Sequence, residues 1–370
     1  MATGAGTGFE EPTVRSQVLR GAAEYRRNAS GKCPGASQAR SWRTFGGGGW
    51  RRCRRTSGGA TATESVGLLL PASTPYRSGH FFYYPMPFVV SIVQASAEYP
   101  EYTFVDSLTP SEQKAAFHVR NANGEDLCLK IIAPSFDIAR LQREIMALQA
   151  IRHPNVVSLR EYTFSTTQGK QRHFLVEEFI EGSDLTLKLL VGARWPLAEA
   201  QTFFAALCDG LNALRTADVV HRDLKPSNIR VRLDGSPVII DFGLARHLGL
   251  SDLTCTSEGA AIGTPLFFAP EQFTGTKREI DHRTDLFAVG VLLYHALVGH
   301  HPFLTGGMTG LAQLRDAVCS SSDFQNDTAF LALPERWRTL VARLLSKERA
   351  QRPRAAEQVA SIIRQLDVIV

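Results

Sequence analysis

The chain has 370 residues, 44% of them apolar and 21% charged, which excludes a single small domain and a chain too polar to build a core, and suits two or three units. The net charge of +5 is local: residues 1–85 hold twelve Lys/Arg against four Asp/Glu, a balance of +8, and the remainder holds 29 against 32, a balance of −3. The whole-chain charge is therefore no argument for nucleic-acid binding, and nucleic acid is an unlikely partner of the folded part.

Residues 1–85 are rich in Gly, Ser, Thr and Arg, and "SWRTFGGGGWRRCRRTSGGATATES" has no period of 2 or 3.6. Such a segment cannot bury a core and reads as a disordered basic extension. It can also be read as a basic arm for nucleic acid or acidic membrane, as an organelle transit peptide, or as a segment never made, because Met86 begins the first patterned sequence. The first twenty residues lack the apolar core of a signal peptide. No stretch reaches the roughly 20 apolar residues of a membrane span; 286–299 is too short and carries His295, and 81–93 is broken by two prolines. Cys33, Cys53, Cys128, Cys208, Cys255 and Cys319 form no CxxC pair. Free thiols in a reducing, cytoplasmic setting are the expectation.

From about residue 101 the texture changes. "FHVRNANGEDLCLKII" (117–132) reads as a hairpin of two alternating runs around Asn-Gly. "FDIARLQREIMALQAI" (136–151) has Leu141, Ile145 and Leu148 at helical spacing, with Ser135 as its cap and His153-Pro154-Asn155 as its stop. Strand-like runs follow at 156–164 and 172–180, then a linker at Gly182-Ser183. Beyond it the helices predicted are 197–215, 284–299, 334–346 and 355–369, and no internal repeat is visible. The layout is an α+β protein of two lobes, a small β-rich one over 101–180 and a larger helical one over 181–370.

Ionisable residues interrupt this apolar pattern at three places. In "LCLKII", Cys128, Lys130 and Ile132 share one face of a strand, and Leu127, Leu129 and Ile131 the other. A lysine in such a run needs a partner or a ligand unless it lies on an edge and reaches water. Glu144, three residues after Leu141 and four before Leu148, sits on the buried stripe of its helix and suits Lys130 as a pair, although a surface glutamate is equally compatible with that helix alone. The third place is "VVHRDLKPSNI" (219–229), followed by a hairpin over 228–241 with Asp234-Gly235 as a two-residue turn. Its symmetry point falls between 234 and 235, which sets Asn228 opposite Asp241 at the open end, beside Asp223 and Lys225. Carboxylates with an amide are oxygen ligands that suit Mg²⁺.

In this order the motifs resemble the eukaryotic-type Ser/Thr protein kinase family, most like its bacterial members, over about 101–370. "LCLK" is similar to the strand motif V-A-I-K, "REIMALQAIRHPNVV" to the C-helix, "FLVEEFIEGSDL" to the hinge, and "HRDLKPSN" with Asp241-Phe242-Gly243 to the catalytic loop and metal motif. "GTPLFFAPEQ" is similar to the end of the activation segment, Asp285 and Gly290 match the helix anchoring the catalytic loop, and Arg352 matches the arginine that pairs with the Ala-Pro-Glu glutamate, here Glu271. The resemblance implies Mg²⁺-dependent transfer of the ATP γ-phosphate to Ser/Thr of protein substrates. It implies Asp223 as proton acceptor, Lys225 as charge balance, Asn228 and Asp241 as metal ligands, and Lys130, Glu144, Glu178 and Ile180 at the nucleotide. Arg222 would answer a phosphate on the activation segment, for which Thr254, Thr256 and Ser257 are candidates.

Two departures stand out. No glycine occurs between 101 and 123, so the Gly-rich loop is missing from "SLTPSEQKAAFHV", and with it the backbone N–H approach to phosphates that glycines allow. Glu177 occupies the gatekeeper position before the hinge; there it is expected to alter the back pocket and leave the catalytic groups untouched. The alternatives to an active kinase are a pseudokinase scaffold with weak ATP affinity, which the missing glycines favour, and a kinase of small metabolites.

Overall fold

The computed structural model of the protein describes residues 87–111, 114–133, 145, 148–167, 170–190, 193–241, 265–274, 280–305, 308 and 310–368. Among the described residues, a helix not anticipated from the sequence comes first. Helix α1 (Ile92–Glu98) starts at a capping box in which Ser91 and Gln94 each accept from the other's backbone N–H. It is followed by strands β1 (Thr103–Ser107), β2 (Lys114–Arg120), β3 (Asp126–Ile132), β4 (Leu159–Thr167) and β5 (Lys170–Glu178), in one antiparallel sheet of order β1-β2-β3-β5-β4.

β3 lies at the centre of this sheet, and both of its faces are covered. Leu127, Leu129 and Ile131 pack with Phe117, Val119, Phe174 and Val176 against Ala95 and Tyr99 at α1. Cys128, Lys130 and Ile132 point the other way, and all three are buried as well. This explains why the strand alternates in chemistry at Lys130 but not in exposure. The β2–β3 register pairs Ala116 with Lys130 and Lys114 with Ile132, and β3–β5 pairs Cys128 with Glu177 and Lys130 with Leu175. Lys114, Lys130 and Glu177 therefore share one face of three adjacent strands, each acid or base one diagonal step from Lys130. Of the helix expected at 136–151, Ile145 and 148–150 are described and helical, with Ile145 and Leu148 buried; Glu144 lies outside the described residues.

The second lobe begins with β6 (Gly182–Asp184), α2 (Leu185–Leu190) and α3 (Leu197–Thr216), then β7 (Ile229–Arg232) and β8 (Pro237–Ile239). The described helices that follow are α4 (Pro270–Thr274), α5 (His282–Val298), α6 (Leu311–Ser320), α7 (Thr328–Leu331), α8 (Glu335–Leu344) and α9 (Ala356–Arg364). α5 is the axis of this lobe. It is buried from Thr284 to Val298 except at His295, as expected of a helix that is apolar all round. Asp281 caps it by accepting from Arg283 N, and Gly299 ends it in the left-handed conformation. A Cβ on Gly290 would come within 2.8 Å of Leu344 Cβ, so glycine is what lets α8 approach α5 this closely. No described helix is long and apolar enough to cross a membrane, and Cys128, Cys208 and Cys319 are free thiols.

The β7–β8 hairpin corrects one expectation. Ile229 pairs with Ile239 and Val231 with Pro237, so the register turns about Asp234 itself and not about the bond between 234 and 235. The turn is one residue longer than a two-residue Asp-Gly loop: Gly235 N donates to Arg232 O, Arg232 N donates to Ser236 O, and Gly235 takes φ 86°. A type I turn closed by a left-handed glycine gives this longer hairpin, and Asp234 favours it by accepting from Ser236 N and Oγ. Asn228 consequently stands opposite Ile240, whose N–H donates to its carbonyl at 2.9 Å, and not opposite Asp241. The segment after His153-Pro154 joins the lobes here: Ile239 N donates to Asn155 O and Val157 N to Ile239 O, both at 2.9 Å.

Candidate active site

The loop 219–229 is anchored by apolar residues and strapped by polar ones. Val219, Leu224 and Ile229 are buried in the main core. Between them His221 is wholly buried, donating from Nε2 to Ile240 O at 3.1 Å and accepting at Nδ1 from Asp223 N at 3.3 Å. The Asp285 carboxylate of α5 accepts from the backbone N–H groups of His221 (2.9 Å) and Arg222 (2.8 Å). Burial pushes the Asp285 carboxyl above its ordinary pKa, against the pull of His221 and these two N–H donors. The strap holds Arg222 at φ 63°, a left-handed conformation costly for a residue with a Cβ. Gln272 Nε2 donates to Arg222 O at 2.9 Å.

The strained loop presents Asp223 in a fixed setting. Lys225 Nζ lies 2.9 Å from Asp223 Oδ2. Asn228 Nδ2 donates to Asp223 O at 2.8 Å and to Oδ2 at 3.3 Å. With its nitrogen committed to Asp223, the Asn228 side chain has its carbonyl oxygen left for a cation. Both ends of the loop also hold the strand end that leads to Asp241, since Ile240 N bonds Asn228 O and Ile240 O bonds His221. Asp241 itself takes φ 57°, the second strained residue of the site. A small recess beside Arg222 and Asp223 is lined by Phe267, Phe268 and Gln272.

Above this loop lies a cluster of four charges. Lys130 Nζ donates to Asp241 Oδ1 at 2.5 Å and also pairs with Glu177 Oε2. Lys114 Nζ pairs with the same Asp241 oxygen. Burial opposes the Lys130 ammonium, but Asp241 and Glu177 outweigh it and hold its pKa above the ordinary lysine value. Burial likewise opposes the Asp241 carboxylate, and the two lysines hold it well below the usual carboxylate range. At Lys114 burial wins, and its pKa lies below the ordinary value despite Asp241. The expectation that Glu177 leaves the catalytic groups untouched is overturned: it is bonded to Lys130. Its position opposite Cys128 accounts for this, because a glutamate one diagonal from a buried lysine on the same face is within reach as a countercharge. Lys114 was missed altogether; the parity of β2 against β3 was the signal available.

The neighbouring connection is built from Glu178 and Ile180. Glu178 accepts from Ser158 N through Oε1 at 3.0 Å and donates its own N–H to Ser158 O, so its side chain closes the β4–β5 end of the sheet. Ile180 is buried, and its carbonyl accepts from Arg230 Nη2. Phe179 between them stacks on His118 with ring centroids 3.9 Å apart. On the far side of the loop, Arg352 meets Glu271 in a two-pronged pair, Nη1 to Oε1 at 2.7 Å and Nη2 to Oε2 at 2.8 Å. Although burial opposes it, the Arg352 guanidinium holds the Glu271 carboxyl below its ordinary pKa. Thr254, Thr256 and Ser257, like Phe242 and Gly243, lie outside the described residues.

Comparison with known proteins accords with this geometry. The model of the protein kinase domain family matches residues 114–362. The chain is 32% identical over 240 residues to the serine/threonine-protein kinase pkn3 of Myxococcus xanthus, covering 62% of this chain and 42% of that protein. It is 35% identical over 175 residues to Pkn1 of the same organism, covering 46% and 24%. To the serine/threonine-protein kinase PknB of Mycolicibacterium smegmatis it is 32% identical over 173 residues, covering 46% and 27%. The chain thus spans less than half the length of these relatives.

Proposed function

The chain belongs to the protein kinase domain family, and from that premise we propose that it transfers the γ-phosphate of ATP to Ser/Thr hydroxyls of protein substrates. The observation that carries the reading is Asp223, held by Asn228 and Lys225 in a loop strapped to Asp285. Phosphoryl transfer needs positioned charge more than covalent help. Asp223 accepts or orients the proton of the attacking hydroxyl. Lys225, already beside that carboxylate, offsets charge on the transferred group. Lys130 contacts the nucleotide phosphates while Glu177 keeps it in place.

Mg²⁺ fits the residues present. Asp241 and Asn228 offer hard oxygen donors, and among the described residues no cluster of three or more His, Cys, Asp or Glu is arranged as a cage. A cation that keeps waters and shares phosphate oxygens suits such a sparse set, and when bound it neutralises charge on the phosphates. The Lys114 and Lys130 amines pair with the Asp241 carboxylate. The backbone at Glu178 and Ile180 borders the adenine side, and Arg222 receives a phosphate carried by Thr254, Thr256 or Ser257.

The test is to incubate the full chain with labelled ATP, Mg²⁺ and a generic basic protein substrate, beside Asp223→Asn. Labelled Ser/Thr is expected from the wild type, with a rate about 10²-fold or more lower in the variant. Equal labelling in both would sink the assignment of Asp223. No labelling by a wild type that still binds ATP would instead favour a nucleotide-binding scaffold.

A further inference from the structure

We propose that Lys114 is a second phosphate-binding lysine, taking over part of the task that backbone donors of a glycine lid would perform. The inference rests on the ATP reading above. Lys114 opens β2 at the tip of the β1–β2 connection, where the sequence has no glycine between 101 and 123. Its side chain lies on the Lys130 face of the sheet. Ala116, the β2 residue directly opposite Lys130, carries only a methyl group, so no long β2 side chain stands between the two lysines.

The two lysines differ in what else they hold. Lys130 is fixed between Glu177 and Asp241, and its side chain is 6% exposed. Lys114 is 24% exposed, at the mouth of the cluster, and its amine has Asp241 as its partner among the described residues. Both amines share one oxygen of Asp241. When that carboxylate turns to a divalent cation, Lys130 keeps Glu177, whereas Lys114 is left as a partly buried ammonium in need of an anion. The phosphate oxygens of a nucleoside di- or triphosphate are the anions that arrive with the cation. A flexible four-carbon stem reaches them from the strand without the close backbone approach that glycine permits. The cluster thus exchanges a lysine–carboxylate contact for a lysine–phosphate contact as the nucleotide enters.

The experiment compares ATP with adenosine, a ligand that fills the same base site without phosphates. Affinities of both are measured by calorimetry with Mg²⁺ on the full chain as wild type, Lys114→Met, Lys114→Gln and Lys114→Arg, each checked for a cooperative melt. Loss of one charge-assisted hydrogen bond to phosphate is expected to weaken ATP about tenfold or more in the Met and Gln variants. Adenosine affinity is expected to stay unchanged, and Lys114→Arg to keep most of the ATP affinity. An ATP-to-adenosine ratio that the Met and Gln variants leave unchanged would overturn the inference. So would tighter ATP binding in those variants, which would make Lys114 a plug on Asp241. A wild type that binds no ATP would instead remove the kinase reading, and this inference with it.

Discussion

Arg352→Met is the sharpest perturbation of the helical lobe. The Arg352 side chain is fully buried, and its five N–H donors have five acceptors: Ser346 O from Nε, Glu271 Oε1 and Arg283 O from Nη1, and Glu271 Oε2 and Lys347 O from Nη2. Its guanidinium carbon also lies 5.0 Å from the centre of the Phe287 ring. Methionine keeps much of the volume and none of the donors. It leaves the Glu271 carboxylate, itself 9% exposed, with Thr284 Oγ1 at 2.8 Å as its remaining side-chain partner among the described residues. An uncompensated buried charge of this kind costs about 3–5 kcal/mol. Glu271→Met is expected to cost a similar amount, because it strands the guanidinium. The double variant strands neither charge, so it should lose at least about 2 kcal/mol less than the two single losses combined. Arg352→Lys keeps the charge but not the planar fork, and should fall between wild type and Arg352→Met. Urea unfolding at pH 7 followed by far-UV circular dichroism reads all four variants. A loss below about 1 kcal/mol in Arg352→Met, or strict additivity in the double variant, would refute the argument from burial and hydrogen bonding.

Two further outcomes follow from groups outside this pair. His301 is buried, donates from Nε2 to Leu266 O at 2.8 Å and accepts at Nδ1 from Phe303 N, so it is neutral in the fold; burial, with His295 and His300 nearby, lowers its pKa from 6.5 to about 4. The unfolded chain protonates this residue first, so its contribution is complete above pH 6.5 and lost as pH falls toward 4, by up to about 3 kcal/mol; His301→Gln should flatten the stability profile in that window, and identical slopes would contradict the assignment. Glu177→Leu leaves buried Lys130 with Asp241 and should lower stability by about 1–3 kcal/mol, more than Glu177→Gln, which keeps an oxygen acceptor; thermal melts without nucleotide check this, and an unchanged midpoint for Glu177→Leu would show the Lys130–Glu177 pair to be worth nothing.

Much of this architecture could be read along the chain, because it depends on neighbours in sequence. The face parity of β3 and the buried axis helix around Gly290 follow from local period, whereas the pairing of Arg352 with Glu271, 81 residues apart, was implied only by the family resemblance. The residues Asp223, Lys225 and Asn228 lie within one short loop, so their order alone brings them together. What the chain could not state was register and reach. The β7–β8 hairpin turns about Asp234 because a left-handed Gly235 extends the turn by one residue, a backbone choice that the letters Asp-Gly leave open. Which carboxylate answers Lys130 depended on which strand lay beside β3. Glu177 sits on β5, forty-seven residues away in sequence, and reaches Lys130 only because β5 and β3 are neighbours in the sheet. Lys114 follows a polar connection in the sequence, and only the pairing of β2 with β3 sets it on the face that meets Asp241. Sequence thus determined the charges and the loops that carry them. Tertiary structure decided which charges meet, because the free energy of a buried ion depends on the few ångströms to its partner.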